Sequence, residues 1–296
     1  MLGWGSAGKR PGLVALLAGC AVIVPAATAH AGTAGQPVSL GKAKGFEYMR
    51  VTLQNVFSQA GAPAQCAGER FATGGGGAIS GPGTEASLNT LQATSPTQGW
   101  QAEGSTTGVE GRKLTTYAVC GTKPVTESAG TDSFAPGAEF NSGLTCGGSE
   151  RASSGGIGDV GGGGDVRIVG LFPAADPFDW IDSFKNAGSE NTTVRHSVRC
   201  VSGYNLRYRS ESARVRKGEA GKVVAKCKES EAVAGGGLLS TSGTSFDFDT
   251  WALGSKPWDS KQDARKVPED GWLARVHNGA DHRIDLTAHA VCRRKG

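Results

Sequence analysis

The chain has 296 residues, 20% of them charged and 7% aromatic, with 47 glycines and a formal net charge of +4. Glycine at more than twice its ordinary share disfavours helices and marks turns, bulges and close backbone approach, which argues against a helical bundle. A charge this near balance argues against a nucleic-acid binder.

In chain order, residues 1–31 read as a secretory leader. Lys9 and Arg10 supply the positive start, residues 13–24 a short apolar run, and Ala29-His30-Ala31 a small-x-small cleavage pattern. The run is too short for a membrane-spanning stop-transfer helix. A second reading stays open. Leu17-Ala18-Gly19-Cys20 has the form of a lipoprotein signal, which would lipidate Cys20 and anchor the chain on the outer face of the membrane. The apolar residues 21–24 that follow Cys20 favour simple secretion to the extracellular space. Without the leader the net charge falls to +2.

Beyond the leader one phrase recurs three times. It runs from a cysteine through a glycine cluster, a strand ending in proline and a tryptophan to a strand that closes on a second cysteine. The first cysteines, Cys66, Cys146 and Cys227, stand 80 and 81 residues apart, and the second, Cys120, Cys200 and Cys292, stand 80 and 92 apart. The glycine clusters begin at Gly74, Gly155 and Gly235; the prolines are Pro96, Pro173 and Pro257; the tryptophans are Trp100, Trp180 and Trp272. Landmarks in fixed order are the signature of an internal repeat. The extra residues of the last copy fall between Pro257 and Trp272, and the glycine run at 161–164 is a loop particular to the second. The units are placed at residues 36–120, 121–200 and 201–296, with no linker between them. An even set of cysteines in an exported chain implies disulfides. The repeat selects Cys66–Cys120, Cys146–Cys200 and Cys227–Cys292 from the available pairings. No CxxC pair or Cys/His cluster supports a metal site instead.

The closing strands can be read for facing, because side chains alternate along a strand. Ala118, Thr116 and Leu114 share a face with Cys120; Val198, His196 and Val194 with Cys200; Ala290, Ala288 and Leu286 with Cys292. These faces suit a core. The opposite faces carry Val119, Tyr117 and Thr115, or Arg199, Ser197 and Arg195, or Val291, His289 and Thr287, and are expected to be solvated. Residues 46–53 and 204–209 open their units, and residues 166–172 form the strand before Pro173. One short helix is expected at residues 178–187, from Phe178, Trp180, Ile181 and Phe184. The fold class is all-β: three tandem antiparallel β-sandwich-like units of about 80 residues, one disulfide each. The alternative is a single three-fold β-prism.

The recurring Cys, Gly-Gly, Pro, Gly99-Trp100 and Tyr117-Ala118-Val119-Cys120 elements resemble a repeat of exported proteins from actinomycete-type bacteria, mostly described as hypothetical secreted proteins. The resemblance spans residues 36–296 and is loosest in the second copy, where His196-Ser197-Val198-Arg199-Cys200 replaces the usual ending. It implies export, disulfides and β-structure, and it brings no catalytic residues. A fainter resemblance is to β-prism proteins, some of which bind sugars.

The chemistry is sparse. Residues 161–164 precede Asp165-Val166 and not Lys-Ser/Thr, so they are not a phosphate-binding loop. His196, His277, His282 and His289 are joined by no GxSxG elbow that would signal a hydrolase. His196 reads as a structural core histidine. The three repeat tryptophans read as packing before sugar platforms, and Asp247, Asp249 and Asp259 as a solvated strand face before a calcium site. Charge is uneven: the three units carry +1, −4 and +5. The excess in the third begins with Arg207, Arg209, Arg214, Arg216, Lys217, Lys222, Lys226 and Lys228. Arg207 and Arg209 share one face of a strand, and Trp251 and Trp258 lie outside the repeat pattern, so these four are the candidate ligand-binding residues. A basic strip can hold an anionic polymer or defend a sheet edge against aggregation. The expected function is a non-enzymatic binding or cell-surface protein that engages a glycan or anionic wall polymer. The alternatives are a secreted hydrolase with a site in the third unit and a purely structural envelope protein. No catalytic residue, cofactor, metal or nucleic-acid partner is expected, and a membrane partner only if Cys20 is lipidated.

Overall fold

The computed structural model describes residues 35–56, 59–80, 86–94, 98–106, 111–160, 165–260 and 266–294. The leader with Cys20, Pro96 and the run at 161–164 lie outside them. The first segment holds β1 (Val38–Ala43), β2 (Phe46–Val56), β3 (Ala60–Gln65), β4 (Phe71–Ser80), β5 (Ala86–Thr94), β6 (Gly99–Thr106) and β7 (Arg112–Gly121). The second holds β8 (Val125–Phe134), β9 (Glu139–Thr145), β10 (Arg151–Asp159), β11 (Val166–Pro173), β12 (Asp179–Asn186) and β13 (Thr192–Val201). The third holds β14 (Leu206–Val215), β15 (Ala220–Lys226), β16 (Glu231–Ser242), β17 (Ser245–Phe246), β18 (Thr250–Trp258), β19 (Gly271–Asn278) and β20 (Ile284–Arg294). Among the described residues there is no helix.

The protein is all-β and its strands pair antiparallel in three sheets. Their orders are β1-β2-β7-β4-β18-β19-β15, β3-β6-β5-β10-β13-β8 and β14-β20-β16-β11-β12-β9, with β17 beside β16. Each sheet draws on two segments, and each segment is divided between two sheets. In the first segment β2, β7 and β4 lie in one sheet while β3, β6 and β5 lie in the next. These halves face each other as in a sandwich. Trp100 of β6 packs on β4 so closely that a Cβ at Gly75 would stand 2.2 Å from its ring; Gly155 meets Trp180 at 1.9 Å and Gly236 meets Trp272 at 2.5 Å. The glycine clusters therefore let a backbone run flat against a buried indole. Truncating one such indole would cost roughly 4 kcal/mol.

Disulfides clamp the halves: Cys66–Cys120, Cys146–Cys200 and Cys227–Cys292, with Cα separations of 5.6, 5.6 and 5.7 Å. In each, the second cysteine lies in the closing strand of one sheet and the first follows the strand that opens the other half. Three disulfides are consistent with an extracellular or secreted protein.

The segments are joined in a ring. β5 pairs with β10 at Leu91–Ile157, β11 with β16 at Gly170–Leu239 and Leu171–Leu238, and β18 with β4 at Gly254–Ala78 and Ser255–Gly77. The glycine strands β4, β10 and β16 meet where a Cβ on Gly74 would lie 2.9 Å from the Gly235 Cα and 3.2 Å from the Ser154 Cβ. Three buried or part-buried hydrogen bonds close the same ring. Tyr48 donates to the Val233 carbonyl (2.8 Å), Tyr208 to the Ala152 carbonyl (2.8 Å) and the Arg199 guanidinium to the Ala72 carbonyl (2.9 Å). Each acceptor stands six residues after the first cysteine of its segment.

Two expectations are corrected. Residues 179–186 form β12, not a helix. Trp180, Asp182, Phe184 and Asn186 are buried at a period of two, and β11 and β9 supply ladders on both sides. The outer faces of the closing strands are also not solvated at their cysteine ends: Val119, Arg199 and Val291 are all buried. The neighbouring segment covers them through the ring contacts.

Candidate functional site: the open edge of the third segment

β14 ends one sheet and β15 ends another, and a short turn at residues 216–219 carries the chain between them. β14 alternates: Tyr208 and Ser210 stand opposite Val291 and His289, while Arg207 and Arg209 stand opposite Cys292 and Ala290. Arg209 and Glu231 form a two-pronged pair, at 2.9 and 2.7 Å. Glu231 is buried and also accepts from the Lys228 amide at 2.9 Å. The hydrogen bond from Arg209 holds the Glu231 carboxyl below the usual carboxylate range, and the same bond raises Arg209. Arg209 is therefore a fixed cation. Arg207 is exposed and makes no ion pair among the described residues.

Arg209, Ser210, Glu211, Val224 and Lys226 line a cleft between β14 and β15. Lys226 is exposed, and its ammonium lies 5.8 Å over the Trp258 ring. The register explains this: Trp258 and Lys226 flank the side-chain-free Gly271 of β19. The structure thus links Arg209 and Trp258 through Lys226. Trp251 stands apart at the other end of β18, 4.5 Å from the His277 ring and beneath the Arg167 guanidinium at 5.0 Å. Its surface is used within the chain. Lys226 is the residue that joins the group, and only its place in the basic run singled it out in the sequence.

A second concavity adjoins across Arg209 and Ser210. Phe172, Pro173, Ile181, Tyr208 and His289 line it, where the second and third segments meet. His289 stacks on Phe172 at 5.3 Å, and burial pushes its pKa down to about 4. It is a neutral, apolar-packed imidazole at neutral pH.

The remaining histidines assemble no nucleophile–base pair among the described residues. His196 bonds Asp132 at 3.1 Å, and its other nitrogen is 3.9 Å from the fully buried Asp182. Its ring packs on Phe140 at 5.4 Å. His282 bonds Asp247 at 2.8 Å and Asp281 at 2.9 Å, and both bonds raise its pKa, Asp281 most. Asp247 is consequently buried and paired, not on a solvated face, because the loop before β20 folds His282 over it. Asp249 remains exposed and meets Lys185 at 3.4 Å. Cys227, Glu231 and Cys292 lie close together, but the two sulfurs are bonded to each other and offer no thiolate.

No protein-family model and no curated protein matches the chain.

Proposed function

We propose that this protein is a secreted, non-enzymatic binding module that holds an anionic extracellular polymer at the open edge of its third segment. The observation that carries the reading is the Arg209–Lys226–Trp258 group, in which one cation is locked by Glu231 and another rests on an indole. Arg207, Arg214, Arg216, Lys217 and Lys222 lie exposed along the same two strands and their turn. An indole beside ammonium and guanidinium groups suits a sugar ring that carries phosphate or carboxylate, since the ring stacks and the anion pairs. Export through the leader at residues 1–31 belongs to this reading.

The test is co-sedimentation of the purified mature protein with peptidoglycan bearing anionic polymer, at low and high salt. Retention at low salt, weakened about tenfold by Arg207→Ala with Lys226→Ala and lost as salt screens the charges, is expected. Arg209 is left untouched because its loss would strand buried Glu231. Absence of retention at low salt would overturn the reading.

A further inference from the structure

β2, β8 and β14 stand at matching places, each pairing with the closing strand of its segment, β7, β13 or β20. Their outer edges differ. In the first segment β1 is laid along β2 and covers it. In the second and third segments no strand covers β8 or β14 among the described residues. Of these three matching edges, one is filled and two are open among the described residues.

The open edges keep charge as a defence and lack the others. Natural sheets blunt an edge with proline, a bulge or a very short strand. β8 and β14 are each 10 residues long, without proline. Each runs through ten consecutive pairs with its inner neighbour and no register shift. The other terminal strands are shorter: β3 has six residues, one of them Pro63, and β9 and β15 have seven each. What β8 and β14 do carry is charge of opposite sign. β8 holds Glu127 and Asp132 and no cation; β14 holds Arg207, Arg209 and Arg214 against Glu211.

We propose that copies of this chain add head to tail, β14 of one copy pairing antiparallel with β8 of the next. Like charge opposes β8 against β8 and β14 against β14, which leaves the mixed pairing. The spacing of the charges sets the register. Glu127 and Asp132 are five residues apart, as are Arg209 and Arg214. One antiparallel alignment therefore places Glu127 opposite Arg214 and Asp132 opposite Arg209, each beside the partner it already has in its own chain: Arg195, Asp285, His196 and Glu231. It also matches the faces of the strands. Glu127 stands opposite Arg199 and Arg214 opposite Asp285, on the outer side, while Asp132 and Arg209 stand opposite the core-side Val194 and Ala290. The same alignment sets exposed Ala129 opposite exposed Ser212. Because the two edges lie on different segments, the contact is heterologous and builds a ring or a filament instead of a symmetric dimer. The pairing uses the main-chain edge of β14 together with Arg209 and Arg214, which also belong to the basic strip, and its test contains no polymer.

Two measurements test it on the full mature chain. Sedimentation velocity of the unmodified protein is expected to show mass rising with concentration at low salt and falling back to monomer at high salt. Separately, Ala129→Cys and Ser212→Cys variants, with the three native disulfides intact by mass, are mixed under mild oxidation. A heterodimer is expected to form about tenfold faster than either homodimer. Arg214→Glu in the Ser212→Cys partner is expected to remove that preference. A monomer at every concentration and salt, or cross-linking that favours homodimers, would overturn the proposal.

Discussion

Asp182 shows how one residue sets a local balance. It lies two positions after Trp180, where the other segments have Ala102 and Ala274, both buried. His196 lies four before Cys200, where they have Thr116 and Ala288. The second segment alone puts an acid and an imidazole at this point of its interior. Burial holds the Asp182 carboxyl well above its ordinary range. At 3.9 Å the His196 nitrogen is too far for a hydrogen bond that would repay the desolvation. A carboxyl raised in the folded state is tolerated below the unfolded value of about 4 and opposes folding increasingly as pH rises above it. Asp182→Asn keeps the shape and removes the charge. It is expected to stabilise the protein by on the order of 2 kcal/mol at neutral pH, with the gain vanishing below about pH 4. Denaturant titrations at both pH values check this; a gain equal at both, or a loss at neutral pH, would contradict the assignment.

Among the elements, the glycine strands carry the most specific packing. Gly155 faces Trp180 so directly that any Cβ collides with a ring which is itself fully buried. Gly155→Ala is expected to lose about 3 kcal/mol, because neither the indole nor the β10 backbone has room to yield. Gly147, by contrast, has nothing near its Cβ position. Gly147→Ala is expected to change stability by less than about 0.5 kcal/mol, and thermal unfolding of the pair separates close approach from general glycine content. β8 and β14 show the opposite economy. Among the described residues their outer hydrogen-bonding groups lack a ladder, and on the proposed assembly the charges beside them decide which partner strand is admitted.

At the scale of the molecule, the ring contacts join the three segments to one another. Tyr48, Tyr208 and Arg199 each reach a carbonyl of a neighbouring segment. The second segment uses Glu127 opposite Arg199, where the others place Tyr48 opposite Val119 and Tyr208 opposite Val291. Burial lowers Arg199 to about 10, against the pull of Glu127. Arg199→Ala breaks the ring bond and takes a cation from Glu127. It is expected to cost roughly 3 kcal/mol, against about 1 for Tyr48→Phe. The ring predicts one shared unfolding transition in each variant. Two separated transitions in denaturant would show that the segments fold independently.

The sequence by itself determined the class of structure and the facing of its strands. Period-two alternation beside each cysteine and the glycine clusters act within a few residues, so Ala118, Val198 and Ala290 could be placed in the core without a neighbour in view. The tryptophans, too, were legible as packing, since they recur at one position. Only the tertiary structure decided which strands share a sheet, because a ladder such as β18 on β4 joins residues that no local pattern connects. It also decided that Arg199 is buried, that Asp247 is paired, that Trp251 is stacked within the chain and that Lys226 bridges Arg209 to Trp258. The physical reason is the same in each case. Side-chain direction is a local property of the backbone, whereas what covers a side chain depends on strands that come from another segment.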